Sequence, residues 1–370
     1  MSKQEEPDSG PVPAIANPDL RGHDAAEATL LRAFRSGRLP HAWLIAGPRG
    51  IGKATLAYRC ARFVLAEGGA GQGGGLFDAE PAPAPDSLYL DPDHPVFRRV
   101  AAGGHPDLRV LVRGIDEKTG KPRSEIPVRD VRTLGDFLHM TASEGGWRVA
   151  IVDPVDDLNR SAANALLKVL EEPPANALLL LVCHAPGAVP ATVRSRCCHL
   201  PLMPLPEATV AELLAAHAPG LASGDAAALA RLAEGSIGRA LDLAAGGGLE
   251  LYRELVHVIG DLPRLDVARV HAFGDRLAKD SEGTAFRTGM ELLTWWLARM
   301  IKGGAAGSLP PEVIDGEGGL MQRLLAHRPL AHWLTIWEKT ARCLPRAEAA
   351  NLDRKQTVIT AFLEIEAFAS

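Results

Sequence analysis

The stretch Gly47-Pro48-Arg49-Gly50-Ile51-Gly52-Lys53-Ala54-Thr55, directly after the apolar run Ala42-Trp43-Leu44-Ile45-Ala46, restricts the fold more than any other part of the chain. It predicts a strand, a phosphate loop and a helix. Glycines let backbone N–H groups curl around phosphate oxygens, the following helix presents its positive N-terminal end, and a lysine reaches the outer phosphates. Gly47, Gly50, Gly52 and Lys53 occupy those places. The next position of the pattern requires a Ser or Thr hydroxyl for Mg²⁺, and Ala54 stands there. Thr55 is one residue further on, where a helix turns its side chain about 100° away. The cradle is therefore expected without its metal hydroxyl, and whether nucleotide binds stays open.

The acid that should face such a loop is found at the end of Arg148-Val149-Ala150-Ile151-Val152-Asp153, an apolar strand followed by Pro154. In P-loop ATPases an Asp here orients the metal, and in many a following Glu polarises the attacking water. Asp153 is kept, but Pro154 cannot accept a proton. Ala54 and Pro154 point the same way, towards a site that does not hydrolyse ATP.

Further strands are expected at Asp107–Val112 and Ala177–Cys183, and helices at Leu20–Ser36, Lys53–Ala66, Val128–Met140 and around Ala163, Leu166, Leu167 and Leu170. Continuous apolar strands alternating with helices imply a parallel sheet covered on both faces, so the class is α/β up to residue 205. Gly68–Pro85 has too little apolar bulk to pack and reads as a mobile surface loop, and Arg113–Arg123 as a protruding hairpin or loop. Beyond Pro206 only alanine- and leucine-rich helical sequence follows: a small unit at Val210–Ala245 ended by Gly246-Gly247-Gly248, then a second helical domain interrupted at Gly303–Pro311. At 370 residues two or three domains are expected.

Asn164-Ala165-Leu166-Leu167-Lys168-Val169-Leu170-Glu171-Glu172-Pro173-Pro174 and Ser195-Arg196-Cys197, together with Gly47–Lys53 and Asp153, resemble the clamp-loader branch of the AAA+ ATPases. The resemblance runs from about His23 to Phe368. It implies an AAA+ P-loop core with a parallel sheet (1–205), a small helical lid (206–247) and an all-α collar (248–370) that holds the subunits in a ring. It also implies as partners the other clamp-loader subunits, the sliding clamp and primer-template DNA, within a DNA polymerase whose chemistry lies elsewhere. Arg196 would enter a neighbour's ATP site in trans as an arginine finger, and Arg239, in Gly235-Ser236-Ile237-Gly238-Arg239, would touch this chain's own ATP, if one binds. Outside the resemblance, Arg196 reads as a helix-capping arginine or one paired with a surface carboxylate. The rival is an active AAA+ motor or helicase-like ATPase, which Pro154 disfavours.

Other signals are blander. The formal net charge of −5, from 40 basic and 45 acidic residues, leaves nucleic-acid contact to a local patch, of which Arg109, Arg113, Lys118, Lys121, Arg123, Arg129 and Arg132 are the one concentration. Interspersed acids make it read as a solvated surface. Five cysteines without paired spacing point to a reducing, cytoplasmic setting, and no apolar run suggests a membrane span. Many relatives within the branch carry a four-cysteine zinc module after the phosphate-loop helix. Here Cys60 stands alone in that region, and no zinc is expected. Trp295, Trp296, Trp333 and Trp337 fall at helical spacing and are expected in the core of the C-terminal helices.

Overall fold

The computed structural model describes residues 12–68, 85–115, 120, 123–144 and 146–369. Most of the Gly68–Pro85 stretch, and Lys118 and Lys121, lie outside the described residues. The described chain divides into two compact units: residues up to Thr209 with Gly235–Gly238, and Val210–Glu234 with residues from Arg239 onward.

The first unit contains, in order, α1 (Asp24–Arg35), β1 (Ala42–Ala46), α2 (Lys53–Glu67), α3 (Pro95–Ala101), β2 (Leu108–Val112), α4 (Val128–His139), β3 (Arg148–Asp153), a 3₁₀ turn (Val155–Asp157), α5 (Arg160–Glu171), β4 (Ala177–Cys183), α6 (Ala191–Arg194) and β5 (Cys198–Pro201). The five strands form one parallel sheet in the order β2-β3-β4-β1-β5. β1 lies between β4 and the edge strand β5, with Ala42 opposite Leu179 and Ala46 opposite Cys183.

Why the strands read as unbroken apolar runs follows from this arrangement. Successive side chains point to opposite faces, and both faces are covered. Trp43, Ile45, Val149, Ile151, Leu178, Leu180 and Val182 pack with α1, α2 and α3. Ala42, Leu44, Ala150, Val152, Leu179, Leu181 and Cys183 pack with α4, α5 and α6. The α/β reading of this region is correct. Two of its elements had no clear sequence signal: α3, which is two turns long, and β5, an edge strand of four residues whose pattern is mostly exposed.

The second unit is helical. The remaining helices are α7 (Glu207–His217), α8 (Ser223–Leu232), α9 (Ile237–Ala245), α10 (Gly248–Gly260), α11 (Val267–Ala278), α12 (Thr284–Ala306), α13 (Glu317–His327), α14 (Leu330–Ala350) and α15 (Arg354–Ala369), the first turns of α7 and α9 lying in the first unit. α12 packs on α10 and α14, and α15 on α11 and α14. Trp296 and Trp333 are fully buried here, whereas Trp295 and Trp337 are half-buried.

The expected interruption at Gly303–Pro311 starts too early: α12 continues through Gly303 and Gly304 to Ala306. These glycines are close-approach points rather than breakers. A Cβ on Gly303 would come within 2.9 Å of Leu309 Cδ2, and one on Gly304 within 2.8 Å of Leu325 Cδ2. Among the described residues no helix is long and apolar enough to cross a membrane.

Candidate functional site: a phosphate cradle and an outward arginine

The cradle is set by β1 and by what crosses its C-terminal end. Gly47 N–H donates to Cys183 O at 3.2 Å and Leu202 N–H to Ala46 O at 2.7 Å, so the chain leaves the sheet pinned on both sides. A Cβ on Gly47 would lie 2.5 Å from Leu202 O, which excludes any other residue without a backbone shift. Gly50 and Gly52 have φ of 76° and 102°, the left-handed region that glycine alone enters cheaply. The turn they make delivers Lys53 as the first residue of α2.

Lys53 is 3 % exposed, and its Nζ donates to Gly47 O at 2.7 Å and to Pro48 O. Burial lowers its pKa from 10.5 to about 8, against the opposing pull of Asp153 and Asp156, so it stays cationic at neutral pH. Burial also raises the Asp153 carboxyl, and the Lys53 cation opposes that shift. The folded Lys53 loses its proton near pH 8 and the unfolded one near 10.5. Between those values the unfolded chain binds more protons, so this residue's contribution to stability rises with pH across the window and its buried charge is most costly below it. The stability difference between the native chain and Lys53→Met is expected to grow in favour of the native chain from about pH 7 to about pH 10 in denaturant titrations. A difference independent of pH would contradict this.

Two groups that the sequence reading missed join the site, together with the Gly235–Gly238 segment, which it had named only for Arg239. Asp156, in the 3₁₀ turn after β3, accepts from His184 N–H at 2.8 Å and acts electrostatically on Lys53. His184, just past β4, has its pKa pushed down to about 4, first by burial and then by the Lys53 cation. Its Nδ1 is buried without a hydrogen-bond partner among the described residues. A polar residue directly after a strand as apolar as Ala177–Cys183 was the available signal. Ser236 Oγ donates to Arg49 O at 2.8 Å and Gly238 N–H to Gly50 O at 2.9 Å. The Gly235–Gly238 segment thereby holds the loop's outward carbonyls. Gly238 must be glycine, since a Cβ would lie 2.9 Å from Gly50 Cα.

On the other side of the loop, His23 Nε2 meets Ile51 O at 2.6 Å. Arg62, buried among apolar residues of α2, donates to Ile15 O at 3.1 Å and Asn17 O at 2.7 Å, while Arg59 donates to Pro18 O at 2.8 Å and to Glu27 at 3.0 Å. These bonds tie the segment before α1 to the phosphate-loop helix.

Gly47, Gly50 and Gly52 lie on the loop that leads into Lys53, and Asp153 is close enough to act electrostatically on Lys53. Thr55 lies on the first turn of α2, beside Ala54. Arg239 belongs to the second unit, where its guanidinium lies 4.0 Å from Glu234. Arg196 makes its contacts away from the loop: NH1 donates to Thr192 O at 2.9 Å, and NH2 lies 2.7 Å from Glu171 Oε1. Its pairing with a surface carboxylate is therefore real. In the basic stretch, Arg113 pairs with Asp157 at 2.9 Å, Arg129 with Asp130 at 3.3 Å, and Arg109 lies over the Phe137 ring at 5.5 Å. Among the described residues no three His, Cys, Asp or Glu side chains are grouped to hold a metal ion.

The left-handed glycines and Lys53 fit a polyphosphate. The Mg²⁺ that would accompany it finds no hydroxyl at Ala54, so the residues present fit the anion better than the metal.

A phosphate loop after an interior strand of a parallel β2-β3-β4-β1-β5 sheet, with an acid at the end of β3, defines an α/β nucleotide fold of the P-loop type. Residues 86–206 match the protein-family model described as DNA polymerase III, delta subunit. The chain is 37% identical to DNA polymerase III subunit delta' of Pseudomonas aeruginosa over 165 residues, which are 44% of this chain and 44% of that protein. It is 29% identical to DNA polymerase III subunit tau of Escherichia coli over 277 residues, 70% of this chain and 39% of the relative. Among solved structures, a DNA polymerase III gamma subunit-related protein from Thermotoga maritima superposes with a TM-score of 0.46 at 16% identity, covering 93% of this chain and 100% of that one. The chain spans less than half the length of the curated relatives it matches. Over these stretches the chain is similar to the delta' and tau subunits of DNA polymerase III.

Proposed function

We propose that the chain is the stator of a DNA polymerase III clamp loader: a subunit that completes the ring, hydrolyses little or no ATP itself, and supplies Arg196 to a neighbouring ATP site. The observation that carries this is the pairing of an intact cradle with two losses in the same site, Ala54 and Pro154, around a well-placed Lys53. Phosphate recognition and hydrolysis are thereby separated, because the cradle needs N–H groups and a cation while turnover needs a metal and a proton acceptor. The partners are the other loader subunits, with the sliding clamp and primer-template DNA as what the assembly acts on. Residues 206–247 act as a lid and 248–370 as the collar that joins subunits.

One feature favours the hydrolytic alternative: Asp156 is a carboxylate close enough to act on Lys53, in the turn that follows Pro154. Binding and turnover of ATP by the purified single chain, with and without Mg²⁺ and beside Lys53→Ala, separate the two. Absence of turnover is the expected result. Mg²⁺-dependent turnover that disappears in Lys53→Ala would overturn the stator and make the chain a motor.

A further inference from the structure

An arginine that serves another subunit's site must be held in place by its own, since its target is absent until assembly. Arg196 lies on the turn between α6 and β5, where Ser195 N–H bonds Ala191 O at 2.9 Å and Arg196 N–H bonds Val193 O at 3.1 Å. The guanidinium then has two anchors from different elements. NH1 donates to Thr192 O of α6 at 2.9 Å, and NH2 pairs with Glu171 Oε1 at 2.7 Å.

Glu171 is the last residue of α5, and α5 is itself fixed at both levels. Asn159 caps it by accepting from Ala162 N–H at 2.9 Å, and Ala163, Leu166 and Leu170 are buried against the sheet. The carboxylate is thus carried on a rigid helix, with Pro173-Pro174 just beyond to stop it. Neighbouring Glu172, equally charged and exposed, makes no side-chain bond to Arg196.

We propose that Glu171 is a positioning residue for Arg196. This rests on the reading of Arg196 as a trans-acting arginine and assigns the group that aims it. A guanidinium presents five N–H donors in a rigid fork. Two are taken by Thr192 O and Glu171, and the rest stay available for the oxygens of a neighbour's polyphosphate. Fixing one edge removes most of the side chain's rotamer freedom before the partner site closes.

The test is ATP hydrolysis by the assembled loader. Glu171→Ala is expected to lower kcat about tenfold, the scale of misplacing a catalytic group by a fraction of an ångström, with the KM for ATP changed less than about twofold. Glu171→Gln, which keeps the acceptor oxygen, retains most of the rate. Glu172→Ala, which removes the same charge one residue away, leaves it unchanged. Combined with Arg196→Ala, Glu171→Ala causes no further loss. If Glu171→Ala runs at the native rate while Arg196→Ala is impaired, the positioning role fails and the trans-acting arginine stands. If Arg196→Ala itself runs at the native rate, the underlying reading fails. An added loss in the double variant would mean that Glu171 acts by another route and would also overturn the assignment.

Discussion

Arg196→Ala in the assembled loader is expected to reduce ATP hydrolysis by about 10³-fold, the magnitude typical of an arginine that stabilises charge on a transferring phosphoryl group. The loss should fall on kcat rather than on nucleotide affinity, because the cation acts on charge that develops in the transition state. The single chain should be untouched: Arg196 is held by Thr192 and Glu171 on the surface, and nothing in its own cradle depends on it. Exposed pairs of this kind contribute at most about 1 kcal/mol to stability, so the variant should fold and assemble. Arg196→Lys should recover little, since a compact point charge on a flexible four-carbon stem does not reproduce the fork. An Arg196→Ala loader hydrolysing at the native rate would show that the chain supplies no arginine to a neighbouring ATP site.

Glu317→Ala is the second large effect, and it concerns the helical unit. Glu317 is 2 % exposed at the start of α13. One carboxylate oxygen accepts from Tyr252 OH and from Arg299 NH1 at 3.0 Å, and the other accepts from Val313 N–H at 2.8 Å. Arg299 also donates to Pro311 O and lies over the Trp295 ring at 4.5 Å. Burial and the Glu317 carboxylate together push the Tyr252 hydroxyl far above its ordinary pKa, so it serves as a neutral donor. Truncation leaves a guanidinium and a phenol buried without their acceptor. The expected cost is about 3–5 kcal/mol, the usual scale for removing one partner of a buried pair. Glu317→Gln keeps an acceptor but loses the charge and should fall between. Urea denaturation followed by tryptophan fluorescence measures both, and a midpoint unmoved by Glu317→Ala would show that the network adds nothing.

How far these residues were legible beforehand differs sharply between them. Lys53, its glycines and the losses at Ala54 and Pro154 could be read directly, because a phosphate loop is contiguous and its chemistry depends on spacing along one segment. Asp153 was legible for a related reason: it ends an apolar run, and an acid there has few structural uses. His184 and Asp156 come from two different strand ends, and only the β3-β4 pairing brings them together. Ser236 and Gly238 reach the loop from far along the chain, so no local pattern announces that they hold the carbonyls of Arg49 and Gly50.

Sequence by itself determined the α/β class of the first region, the helical character of the rest, and the imbalance between a preserved cradle and missing hydrolytic groups. Hydrophobic periodicity and contiguous motifs are local, and local pattern suffices for them. The tertiary structure alone decided where individual charges end up. Glu317, in the glycine-rich run Asp315-Gly316-Glu317-Gly318-Gly319, carries no motif in the sequence yet is buried at the centre of a network. Glu171 and Glu172 are indistinguishable in sequence, but the end of α5 turns one towards Arg196 and not the other. The reason is that a charge's environment is set by residues distant in the chain, whose approach depends on how whole helices and strands pack.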